Sequence, residues 1–109
     1  MKKGKGRNYK IYTIIIGETV GQNSSYDRVI GRNIAVGYKD LIKKLREIKN
    51  NCFGFDKMSI RKVLKNREWS YLDYEIDSFG NRNYSGYWLD IVDDILENDV
   101  IKEKYEGWW

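Results

Sequence analysis

The chain has 109 residues, 41% apolar and 33% charged, with a formal net charge of +4, which is the size of one domain. No uninterrupted apolar run is longer than that of Ile14-Ile15-Ile16, far short of the roughly 20 residues a membrane-spanning helix needs. Histidine is absent and Cys52 is the only cysteine, which excludes Ser-His and Cys-His nucleophile pairs, an internal disulfide and a CxxC redox or zinc site.

Taken in chain order, residues 1–8 (MKKGKGRN) read as a flexible basic arm, with no apolar stretch of signal-peptide length behind it. Tyr9 to Ile16 is β-branched and aromatic and reads as a central strand stopped by Gly17. Val20 to Arg28 is polar and reads as a loop, and Val29 to Val36 as a second, weaker strand ended by Gly37. Tyr38 to Asn50 is the clearest helix: Tyr38, Leu41, Ile42, Leu45 and Ile48 recur at spacings of three and four. Lys39, Lys43 and Arg46 fall opposite that stripe, with Lys44 and Lys49 at its flank.

Met58 to Leu64 and Trp69 to Ile76 read as an antiparallel hairpin, slightly ahead of a rival reading that makes Ser59 to Asn66 a short helix. Ser78 to Asn83 is a turn and Tyr84 to Tyr87 adds a strand. Trp88 to Glu97 reads as a second helix, with Trp88, Ile91, Val92 and Ile95 inward and Asp90, Asp93, Asp94 and Glu97 outward. The expected architecture is α+β: a small, mainly antiparallel sheet with one or two amphipathic helices on one face, forming a single domain over 9–109.

Charge is sorted along the chain. Residues 1–67 hold 17 Lys and Arg against 5 Asp and Glu, and residues 68–109 hold 3 against 11. Two surfaces of opposite sign follow, unless the halves fold together and cancel. The basic face is Lys39, Lys43, Lys44, Arg46 and Lys49 on the helix, continued by Lys57, Arg61, Lys62, Lys65 and Arg67. Cations of this kind release counterions from phosphates, and nearby tyrosines can stack on bases. The acidic stripe Asp90, Asp93, Asp94 and Glu97 offers the converse: a partner-binding face that imitates a phosphate backbone, a weaker claim on Mg²⁺ or Ca²⁺, or a face neutralised by the chain's own cations. Trp108 and Trp109 end the chain and read as an aromatic anchor for a partner or a second copy, or as a tail folded back over the sheet. Gly17 to Gly21 and Gly31 to Gly37 match neither phosphate-loop pattern and read as turns. No catalytic residues, metal ligands or cofactor site are assigned, and Cys52 reads as a small buried hydrophobe.

Ile, Lys, Asn and Tyr supply 44 of the 109 residues, while proline and histidine are absent and Ala35 is the only alanine. This bias, the short length and the want of a housekeeping motif resemble the small inhibitor proteins of AT-rich phages and mobile elements. That group includes anti-CRISPR and other anti-defence proteins. The resemblance implies a non-enzymatic blocker of a host nucleic-acid-handling complex, cytoplasmic in a bacterial host. It would work by occupying a charged surface of a host protein or protein–nucleic-acid complex, with a homodimer left open. The alternatives are a nucleic-acid-binding module using residues 1–67, and a binder of a phosphate-bearing signalling nucleotide.

Overall fold

A computed structural model describes residues 8–97, and their side chains from Lys10 to Asp93. The elements run β1 (Asn8–Gln22), β2 (Tyr26–Val36), α1 (Tyr38–Asn51), α2 (Ile60–Asn66), β3 (Glu68–Ile76) and β4 (Arg82–Glu97). The strands form one antiparallel sheet in the order β2-β1-β4-β3. Both helices pack on one face, as the α+β reading expects. The basic arm, apart from its last residue, and the Trp108-Trp109 pair lie outside the described residues.

β1 is central, as its apolar character on both faces requires. Alternation sends Tyr12 and Ile14 to the helical face and Ile11 to the other. Under the helices, Tyr12, Ile14, Ala35, Leu89 and Ile91 of the sheet meet Leu41, Leu45 and Ile48 of α1, Val63 of α2, and Phe55 and Met58 of the connection. Seven of these, Ala35, Leu41, Leu45, Phe55, Met58, Val63 and Leu89, have no accessible surface. Apart from Ala35, each of these fully buried side chains contributes about 1.5–3 kcal/mol before entropy.

The sheet outruns this core. The described chain measures 65 × 25 × 21 Å, and its radius of gyration is 17.4 Å, against about 13 Å for a compact domain of this length. Val20 to Arg28, expected as a loop, is mostly strand. Its polar side chains pair across the β1–β2 hairpin: Thr19 Oγ1 donates to Asp27 at 2.6 Å, and Arg28 forms an ion pair with Glu18. The two hairpin turns are pinned to each other. Asn23 N donates to Arg82 O at 2.7 Å, Arg82 N returns a bond to Asn23 Oδ1 at 3.0 Å, and Asn23 Nδ2 reaches Asn81 Oδ1 at 3.0 Å.

Two further expectations are overturned. Met58 to Leu64 is not a strand. Ser59 caps a helix by accepting from Lys62 N, and Arg67 in the left-handed region (φ 62°) ends it. The spacing of Ile60, Val63 and Leu64 thus serves a short helix, the rival reading. Trp88 to Glu97 is not a helix but the second half of β4, an interior strand between β1 and β3. Its apolar residues at 88, 91, 92 and 95 suit a strand with apolar groups on both faces equally well.

Candidate functional site

The site is built on the helical layer. Residues 38–67 carry ten Lys and Arg against three Asp and Glu. α1 starts where Gly37 (φ 90°) turns the chain out of β2, and Asp40 Oδ2 accepts from Val36 N at 3.1 Å across that start. With Leu41, Leu45 and Ile48 committed to the core, Lys39, Lys43 and Arg46 are left exposed on α1. On α2, burial of Val63 leaves Arg61, Lys62 and Lys65 exposed. Among the described residues, none of these six cations has a carboxylate within 4.0 Å.

Of the four other cations assigned to the basic face, Lys57 lies 4.9 Å from the Tyr71 ring centre, Arg67 binds Asp93, and two on α1 are used internally. Lys44 pairs with Asp40 one turn back, at 3.2 Å. Lys49 Nζ donates to Asp56 O at 2.8 Å and to Met58 O, so it staples the α1–α2 connection to the end of α1.

Between the helices runs a shallow groove of about 380 Å³. Ile42, Ile60 and Leu64 form its floor, Arg46, Arg61 and Lys65 its rim, and Tyr38 stands at one end, 48% exposed. The apolar stripe expected to bury whole in α1 is therefore divided: Tyr38 and Ile42 line this groove instead.

The acidic stripe does not exist as a single face. Asp90 and Asp93, three apart on a strand, fall on opposite faces. Asp94 and Glu97 lie in the same strand, opposite Ile11 and Asn8 of β1. Asp93 is engaged by Arg67, whose Nε and Nη2 donate to its two carboxylate oxygens at 2.8 and 3.2 Å, with Lys10 Nζ at 3.6 Å. These hydrogen bonds from Arg67, reinforced by the nearby positive charge, hold the Asp93 carboxyl below its ordinary range. Asp90 lies instead at a concavity of about 460 Å³ with Asp27, Glu68, Ser70 and Trp88 of the sheet, and Lys62 of α2 lines the same hollow. Among the described residues, no group of three His, Cys, Asp or Glu is placed to hold a metal ion.

Arg67 is the residue that sequence reasoning misplaced. It reads as one more surface cation, yet it ends α2, grips Asp93, donates to Leu64 O, and lies 5.6 Å from the Tyr12 ring centre. Tyr38 meets that ring edge-on at 6.5 Å. This cluster fixes the helical layer to β1 and β4, and so fixes the direction in which the six exposed cations point. The signal for it in the sequence is slight: an arginine just after a helical run, before a strand.

No protein-family model matches this chain, and neither does any curated protein or solved structure. Among the described residues, no helix is long and apolar enough to cross a membrane.

Proposed function

We propose that this chain is a non-enzymatic binding protein that engages a nucleic-acid phosphate backbone through the outer face of α1 and α2. Such a contact would let it occupy and block a nucleic-acid-handling complex, in the manner of the phage and mobile-element inhibitors its composition resembles. One observation carries the reading: Lys39, Lys43, Arg46, Arg61, Lys62 and Lys65 stand exposed on two adjacent helices with no carboxylate partner among the described residues. An ordinary solvated helix face intersperses both signs. Here six cations share one layer with Glu47 the one exposed carboxylate described on the two helices, and the aromatic edge of Tyr38 lies beside them. Cations so arranged gain by displacing condensed counterions from a polyanion, an effect that needs no base-specific contact.

The experiment is a salt titration of binding to a labelled 20-base-pair duplex, followed by fluorescence anisotropy. If four to six of these cations meet phosphates, the slope of log affinity against log salt lies at about −4 to −5. Absence of binding at 50 mM salt or below overturns the reading.

A further inference from the structure

The two edges of the sheet are built differently. β2 carries an extra residue at Ile30, where the register passes from Ile16↔Gly31 to Gly17↔Val29, and it bears Arg28 and Arg32 on either side of that bulge. Bulges and cations on an edge strand are the ordinary means of stopping another strand from adding to it. β3 has neither. It pairs with β4 in unbroken register from Glu68↔Asp90 to Ile76↔Arg82, and contains no glycine, proline, lysine or arginine. Among the described residues no strand lies on its outer side. An antiparallel strand with one neighbour spends only alternate N–H and C=O groups on it, so the remainder of those along β3 face outward, where the N–H of Tyr74 is held by Asp73 Oδ1 at 2.7 Å and the others carry no such side-chain bond among the described residues.

The side chains on this edge are sorted by face. Trp69 packs beside the core, which sets the odd-numbered residues of β3 on the helical side. Asp73 and Glu75 therefore share that side, and Leu72, Tyr74 and Ile76 share the other, where they are 55%, 47% and 61% exposed. We infer that the β3 edge is a strand-addition site for an extended, basic, amphipathic segment of a partner protein. The backbone of such a segment would continue the ladder, with its lysines or arginines meeting Asp73 and Glu75 and its apolar residues covering Leu72, Tyr74 and Ile76. A second copy is the poorer occupant. Self-pairing of β3 would gather Glu68, Asp73 and Glu75 from each chain along one seam, and β2 of another copy presents its bulge. The site uses the acidic part of the molecule and does not depend on the phosphate contact of the helical layer.

The test is amide hydrogen exchange on the intact chain, read residue by residue by NMR. The probe is an acetylated ten-residue peptide of alternating lysine and valine, with its glutamate-for-lysine counterpart as control. The lysine peptide should slow exchange at least tenfold at alternate amides within 68–76 and leave β2 unchanged. The double variant Asp73→Lys, Glu75→Lys should lose that protection while keeping the wild-type circular dichroism spectrum. The proposal is overturned if millimolar lysine peptide gives no alternate-residue protection, if both peptides protect equally, or if protection rises with protein concentration alone.

Discussion

The indole of Trp88 lies across the backbone of Gly17, its direct cross-strand partner on β1. A Cβ at Gly17 would stand 2.1 Å from the indole ring and 2.6 Å from the carbonyl oxygen of Arg28. Trp88 Nε1 is buried there without a hydrogen-bond partner among the described residues. Gly17→Ala should therefore cost about 2–3 kcal/mol through overpacking, measured by urea unfolding. Trp88→Ala should relieve part of that cost in the double variant, but not all of it, because the Arg28 carbonyl remains.

The Arg67–Asp93 pair makes stability depend on acid. The Asp93 carboxyl is held below its ordinary range by hydrogen bonds from Arg67. The folded state therefore binds its proton less readily than the unfolded chain does. The contribution is complete above the ordinary carboxylate range of about pH 4 and is lost as pH falls through the lowered folded value. Asp77 acts in the same direction, through the backbone N–H of Asn81 first. Asp93→Asn should remove one share of the acid sensitivity and leave that of Asp77. Because both partners of the pair are about one-third exposed, the loss at neutral pH should be about 0.5–1 kcal/mol. Thermal unfolding at pH 3 and pH 7 measures both effects.

Charge reversal on the helical layer should act on binding and not on folding. Lys43→Glu, Arg46→Glu and Lys62→Glu change exposed residues. Each reversal at a phosphate contact should flatten the salt slope by about one and weaken binding to different sequences alike. Unchanged slopes in all three variants would remove α1 and α2 from the interface.

Lys49→Met should do the opposite. Its ammonium group holds Asp56 O and Met58 O, so the variant leaves those carbonyls short of a donor. A loss of about 1–2 kcal/mol is expected, with the salt slope of duplex binding preserved. An altered slope at wild-type stability would show Lys49 to be a contact residue after all.

Parts of this structure are readable from the chain and parts are not, for identifiable reasons. The stripe of Leu41, Leu45 and Ile48 announces α1 by its spacing of three and four, and the run Tyr9 to Ile16 announces a central strand by its β-branched and aromatic composition. Trp88 to Glu97 does not, because an interior strand carries apolar groups on both faces and so satisfies the helical spacing by coincidence. Val20 to Arg28 looks like a loop because its strand pairing is held by polar cross-strand partners, Thr19 with Asp27 and Glu18 with Arg28. The exposed basic face of α1 follows from the same periodicity that sets its core face. The internal use of Lys49 and Arg67 does not, since their acceptors come from the following connection and from β4.

The sheet that continues past the helices has a mechanical consequence. With its two turns bonded to each other at Asn23 and Arg82, neither hairpin can hinge without the other, and the projecting strands behave as one stiff beam with the helices as its handle. A force or a tether at the far end is transmitted along the hydrogen-bonded ladder with little slack, so whatever grips the beam also dictates the orientation of the handle.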